Sequence, residues 1–65
     1  MPELFAPGLP EQVAEVRREL AQRRRVYPRL VSDGRLAEDK AHRQIEVMEA
    51  VLATLEGLRP PPPPL

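Results

Sequence analysis

Residues 37–56, with the sequence AEDKAHRQIEVMEAVLATLE, decide the fold of this 65-residue chain. Within them, apolar side chains recur at spacings of four, three, four and three residues. These side chains are Ala41, Ile45, Met48, Leu52 and Leu55. Such heptad spacing is typical of a helix that packs against another helix. Glu38 and Asp39 lie in the first turn, where the helix dipole favours negative charge, so the stretch predicts a helix from about residue 37 to residue 56.

A weaker apolar series precedes this stretch. Its members, which lie within about 60° of one another on a helical wheel, are Val13, Val16, Leu20 and Tyr27. Pro10 suits the first turn of a helix, because the N–H that proline lacks would have no partner there. Pro28 disfavours an unbroken helix, but Leu30 continues the apolar series beyond it. We therefore expect a first helix from about residue 10 to residue 32, kinked at Pro28.

A short turn connects the two predicted helices. Ser32 and Asp33 lead into Gly34, which we expect in the left-handed conformation that ends many helices. Two helices of similar length joined by so short a turn pack in antiparallel directions. The sequence therefore predicts an all-α fold, an antiparallel two-helix hairpin that covers residues 10–57.

The antiparallel arrangement also predicts ion pairs between the helices. Arg17 would lie near Glu56, and Arg24 would lie near Glu46 or Glu49. Each such pair contributes only ~0–1 kcal/mol when it is exposed to solvent. We expect these pairs to set the register of the hairpin rather than to supply its stability.

Proline-rich segments flank the predicted hairpin. Residues 1–9 include Pro2, Pro7 and Gly8, which favour an extended or turned N-terminal arm. Residues 58–65 contain five consecutive prolines, which favour a polyproline II tail. Such a tail acts as a spacer or docks on an aromatic-lined groove of another protein.

Composition excludes several classes of protein. Ten basic and ten acidic residues give a net charge of zero, which argues against a protein that is basic overall and binds nucleic acid by charge alone. No cysteine is available for disulfide bonds or thiolate metal ligands. The N-terminus does not resemble a secretory signal, and no apolar stretch approaches the ~20 residues of a membrane span. We expect no membrane partner and a cytoplasmic location.

Side chains with catalytic or metal-binding chemistry are few. His42 is the single histidine, and its acidic neighbours make a weak metal site without a second nitrogen or sulfur ligand. Tyr27 follows three arginines, but we expect its ring to cap the core with its hydroxyl in solvent. The sequence therefore predicts no enzyme, no catalytic residue, no metal site and no cofactor.

The second helix has more apolar surface than the first can cover. Val47, Val51 and Leu58 extend its apolar arc to roughly 160°, against about 60° on the first helix. One interpretation is that these are merely exposed apolar residues, which soluble proteins tolerate. The interpretation that we favour is a partner or dimer face, since a second copy would complete a four-helix bundle.

Arginine is concentrated in the first helix and the turn. Residues 17–35 have a local charge of +5, from seven arginines and two acidic residues. The arginines are Arg17, Arg18, Arg23, Arg24, Arg25, Arg29 and Arg35. Their guanidinium groups could bind phosphates of a nucleic acid or carboxylates of an acidic protein. They could equally pair with carboxylates within the chain, and the acidic second helix disfavours insertion into the major groove.

Several short segments together suggest a relationship to known proteins. They are Arg17-Arg18-Glu19-Leu20-Ala21, Arg23-Arg24-Arg25-Val26-Tyr27-Pro28, Gly34-Arg35-Leu36, and Ile45 with Met48-Glu49-Ala50. In these the chain resembles a type of small helical protein of unknown function found in bacteriophages and prophages of proteobacteria. The resemblance covers about residues 13–56. It implies a helical hairpin and a phage context, with a location in the cytoplasm of a bacterial host or in a virion, and it assigns no functional residue.

These observations lead to three functional hypotheses. We expect a non-enzymatic, self-associating interaction module of a phage that binds a host or viral protein. The first alternative is an auxiliary nucleic-acid-binding protein of phage replication or recombination, which would use the arginine-rich first helix. The second alternative is a small structural component of a virion.

Overall fold

The computed structural model describes residues 6–60 and residue 64. This part of the chain forms two α-helices, α1 at Leu9–Ser32 and α2 at Glu38–Gly57, and contains no β-strand. The helices pack against each other in antiparallel directions. The predicted all-α, two-helix hairpin is therefore confirmed.

Helix α1 begins one residue earlier than the sequence predicts. Gly8 precedes it in an extended conformation, and the carbonyl of Gly8 accepts the N–H of Gln12 at 3.0 Å. The side-chain amide of Gln12 donates to the carbonyl of Pro7 at 3.0 Å. Pro10 lies in the first turn, where its missing N–H leaves no carbonyl without a donor. The end of the N-terminal arm is thus held against the start of α1.

Pro28 lies inside α1 and does not end it. A proline at this position cannot donate an N–H to the carbonyl of Arg24. Helical geometry nevertheless continues for four more residues, to Ser32. Leu30 and Val31, which follow Pro28, are both half-buried. Their packing gives a reason for the continuation, since apolar burial offsets the lost hydrogen bond.

The turn after α1 closes with a complete Schellman motif. Gly34 has a φ of 72°, which is the left-handed conformation that the sequence predicts. Its N–H donates to the carbonyl of Val31 at 3.0 Å, and the N–H of Arg35 donates to the carbonyl of Leu30 at 2.8 Å. These two bonds satisfy carbonyls that the end of a helix otherwise leaves without donors. The chain can therefore reverse direction within a few residues.

Helix α2 begins without a side-chain cap. Ala37 occupies the N-cap position in an extended conformation, and its carbonyl accepts the N–H of Ala41 at 2.9 Å. Alanine has no oxygen to offer the first N–H groups, which costs ~0.5–2 kcal/mol relative to serine or threonine. Glu38 and Asp39 complement the helix dipole in the first turn. At the other end, α2 includes Gly57, one residue beyond the predicted end.

Little of the hairpin is buried. Among the described residues, the apolar side chains that are buried are Val13, Leu20 and Ala41, at 2%, 3% and 6% exposure. Ile45, Met48, Leu52 and Leu55 complete the predicted contact on α2 and are half-buried. The core is therefore a single seam between two helices, open on both sides.

The structure describes only part of the proline-rich ends. Residues 1–5, 61–63 and 65, which belong to the expected arm and tail, are outside the described residues. Leu58 follows α2 in a turn, and its N–H donates to the carbonyl of Leu55 at 3.1 Å. Neither of the two helices combines the length and the apolar character needed to cross a lipid bilayer.

Candidate functional site

Three large apolar side chains of the described residues are exposed, and all three belong to α2 or its C-terminal cap. They are Val47, Val51 and Leu58, at 47%, 40% and 67% exposure. The sequence singled out the same three residues as a partner or dimer face. We call this surface the outer face of α2, and we call the seam against α1 formed by Ala41, Ile45, Met48, Leu52 and Leu55 the inner seam.

The outer face lies along one side of α2, and polar residues extend that side. With Lys40, Gln44 and Thr54, its three residues form a series spaced by four, three, four, three and four positions. On a helix of 3.6 residues per turn this series lies about 100° from the inner seam. A helix in a four-helix bundle contacts two neighbours at about a right angle. Helix α2 thus has two surfaces at about a right angle, and α1 covers one of them.

The surface around the valines is shallow and mainly apolar. Val47, Val51 and Leu55 line a depression of about 350 Å³ together with Ala50 and Thr54. The two charged residues that line it are Arg43 and Glu46. Within this depression a partner would remove aliphatic surface from water, which is favourable by about 25 cal/mol per Å².

A polar cluster borders the outer face and connects the two helices. The guanidinium of Arg23 donates to the backbone carbonyl of Gln44 at 3.0 Å and to Glu19 Oε2 at 3.2 Å. The hydroxyl of Tyr27 donates to Gln44 Oε1 at 2.9 Å, and the Arg23 Cζ atom lies 5.9 Å from the centre of the Tyr27 ring. This corrects the prediction that the Tyr27 hydroxyl points into solvent. The Arg23 guanidinium therefore forms its contacts within the hairpin.

Sequence analysis missed the role of Gln44. A signal for it was present, because Gln44 lies one helical turn before Met48 and therefore at the edge of the inner seam. In the antiparallel register its neighbour across the seam is Tyr27. Polar residues at such edges satisfy the hydroxyl of a half-buried tyrosine.

Two ion pairs connect the helices on the opposite side of the seam. Arg17 pairs with Glu56, and Arg24 Nη2 lies 2.6 Å from Glu49 Oε2. Of the two carboxylates considered for Arg24, the structure selects Glu49. Arg24 lies seven residues after Arg17 on α1, and Glu49 lies seven residues before Glu56 on α2. Both ion pairs therefore fit the same antiparallel register. All four side chains are substantially exposed, which limits each pair to ~0–1 kcal/mol.

The seven arginines proposed to bind anions do not form one surface. Arg17, Arg23 and Arg24 contact groups on α2. Arg18 pairs with Glu15, whose hydrogen bond and charge raise the pKa of the Arg18 guanidinium above its ordinary value. The side chains that form no ion pair with another described residue are Arg25, Arg29 and Arg35.

A wider groove lies near the turn, beside the inner seam. It has a volume of about 860 Å³, and its walls include Tyr27, Pro28 and Val31. His42 lies on its rim, where its Nε2 atom is 3.4 Å from Glu46 Oε1. The described residues contain no cluster of three or more side chains suited to hold a metal ion. No polar side chain of residues 6–60 is buried in it to orient a small ligand.

Comparisons with protein-family models, curated protein sequences and solved structures give no match to this chain.

Proposed function

We propose that this protein is a non-enzymatic interaction module that binds another protein through the outer face of α2. The observation that carries the proposal is the exposure of Val47, Val51 and Leu58 on a helix whose inner seam is already packed against α1. Val47 and Val51 line one depression, and exposed apolar side chains that lie together are typical of protein–protein contacts. Its three apolar residues lie four and seven residues apart along one side of α2, which favours a helix as the element that covers them.

A non-enzymatic role is supported by the chemistry of the described residues. Catalytic groups usually lie in a cleft where burial and neighbouring charges change their pKa values. In residues 6–60 no charged or polar side chain is buried. Arg18, whose pKa is raised by its hydrogen bond to Glu15, is an exposed side chain.

The resemblance to phage and prophage proteins favours a host or viral protein as the partner, encountered in the bacterial cytoplasm or in a virion. A structural role in a virion is a form of the same proposal, since it too requires protein contacts. Binding of nucleic acid has less support, because four of the seven arginines contact groups within the chain. The arginines that remain are Arg25, Arg29 and Arg35, which supply only a small number of phosphate contacts.

A matched pair of variants tests the proposal. Val51→Lys places a charge in the outer face, whereas Ala53→Lys places the same charge on an exposed position of α2 that faces away from it. Each protein is immobilised and exposed to a nuclease-treated bacterial lysate and to purified wild-type chain. We expect Ala53→Lys to retain the wild-type set of bound proteins and Val51→Lys to lose at least one member. Identical sets in all three samples would contradict the proposal.

A further inference from the structure

We propose that the occupant of the outer face is a second copy of this chain, with the two α2 helices antiparallel across a two-fold axis. This inference rests on the proposed function, because it names the partner of the same surface. It predicts a four-helix bundle made of two hairpins stacked face to face.

The hairpin lacks the second layer that a stable domain normally has. Domains bury their apolar faces between two packed layers of helices or strands. Here the described residues form two helices side by side, and their buried apolar side chains number three. A second hairpin supplies the missing layer with the same chain. The net charge of zero removes the overall repulsion that would oppose association of identical chains.

The outer face is complementary to itself. A two-fold interface is self-consistent when residue i contacts residue j of the second copy and residue j contacts residue i. Antiparallel α2 helices meet this condition when Val47 lies beside Val51 of the second copy. The same register places Lys40 beside Leu58 of the second copy. The aliphatic stem of the lysine can then cover the leucine while its ammonium group stays in water.

Antiparallel packing is favoured over parallel packing by charge. In a parallel pair, Lys40 and Arg43 would each face the same residue of the second copy, and like charges repel. In the antiparallel pair, the basic start of one outer face lies over the apolar end of the other. The antiparallel arrangement therefore separates the four positive charges and brings the valines together.

Packing α2 on α2 is favoured over packing α2 on α1. The face of α1 that lies beside the outer face contains Glu19 and Arg23, which are bonded to each other. Covering Val47 and Val51 with that ion pair would desolvate it, and this is costly. Packing one outer face against the other desolvates no ion pair. The pair of Glu19 and Arg23 then stays at the edge of the bundle.

Disulfide trapping tests both the partner and its direction. The chain has no cysteine, so Lys40→Cys and Leu58→Cys each introduce a single thiol. Identical positions are about 27 Å apart in the antiparallel dimer, because 18 residues of helix rise 1.5 Å each. A disulfide requires Cα atoms within about 7 Å. The two variants are made with tags of different size, oxidised separately and as an equal mixture, and separated on a non-reducing gel.

We expect the mixture to form the mixed-size disulfide dimer at least about tenfold more efficiently than either variant forms its own dimer. Ala14→Cys, an exposed position on the far side of α1, should give no enrichment in any mixture. Efficient self-linkage of Leu58→Cys would overturn the antiparallel arrangement. Absence of every cross-link, with a monomeric wild type, would overturn the second copy as the partner.

The last outcome separates this inference from the proposed function. If the wild type is monomeric and Val51→Lys still loses a lysate protein, the outer face binds a different protein and only the inference fails. If Val51→Lys loses nothing from the lysate and the wild type is monomeric, both fail.

Discussion

The inner seam and the outer face of α2 share one helix and one heptad spacing, yet they have different surroundings. Ala41 of the inner seam is 6% exposed, whereas Val51 of the outer face is 40% exposed. The difference arises at Gly34, whose left-handed conformation returns the chain so that α1 covers the inner seam. Nothing among the described residues covers the outer face. The turn thus decides which surface of α2 is packed within the chain.

Removing apolar volume from the α1 side of the contact with the inner seam is expected to have the largest effect. Leu20 of α1 is 3% exposed, and Leu20→Ala should lower the free energy of unfolding by ~2–5 kcal/mol. Val51→Ala, measured at a concentration too low for association, should stay within about 0.5 kcal/mol of wild type. Urea titration followed by circular dichroism measures both. Similar losses for the two variants would contradict the distinction between the two surfaces.

If Leu20→Ala does not fold, Leu20→Met provides the comparison, since a swap that conserves volume costs under about 1.5 kcal/mol.

The turn that separates the two surfaces can be tested with its glycine. Gly34→Ala should cost ~1–2 kcal/mol, because alanine is strained in the left-handed region. A Cβ atom at Gly34 meets nothing within 4 Å, so no clash contributes. Gly57→Ala is the matched control, since that position is helical and also open; it should stabilise α2 by up to ~1 kcal/mol. Thermal unfolding of the two variants should shift in opposite directions.

The ion pairs beside the inner seam should contribute little. A double-mutant cycle with Arg24→Gln and Glu49→Gln should give a coupling free energy under about 1 kcal/mol. The coupling should shrink further in ~1 M salt, where exposed charges are screened. A coupling of several kcal/mol that persists in high salt would mean that the register depends on this pair more than on apolar packing.

The smallest expected effect concerns nucleic acid. Replacement of Arg25, Arg29 and Arg35 together by glutamine should leave helicity and stability nearly unchanged, since these side chains form no ion pair with another described residue. Fluorescence anisotropy with labelled DNA and RNA should show no micromolar binding at physiological salt, for wild type or variant. Salt-sensitive binding that the substitution abolishes would support the alternative function instead.

The fold was predictable because local signals agree with one another. The heptad series of the inner seam, the acidic first turn of α2 and the glycine after α1 each indicate the same hairpin. Boundaries were less predictable: Gly8 acts as the N-cap of α1, and Ala37 acts as the N-cap of α2 without a side-chain oxygen. Neither residue has the side chain that normally marks the start of a helix.

The candidate site was predictable in its apolar part and not in its polar part. Val47, Val51 and Leu58 follow from helix periodicity, which fixes the side of a helix that each residue occupies. The contacts of Arg23 depend on the separation of the helices and on side-chain rotamers, which periodicity does not determine. Sequence reasoning therefore grouped Arg23 with arginines proposed to bind anions, whereas the structure joins it to Glu19, Tyr27 and Gln44.

Sedimentation equilibrium of the wild type, Val51→Lys and Ala53→Lys at micromolar concentration measures whether the outer face of α2 binds a second copy of the chain. We expect about twice the chain mass for the wild type and for Ala53→Lys, and a shift toward the monomer for Val51→Lys. The melting temperature should rise with protein concentration only in the two samples that associate. A wild type that remains monomeric and fully helical throughout would contradict the claim that the outer face of α2 binds a second copy.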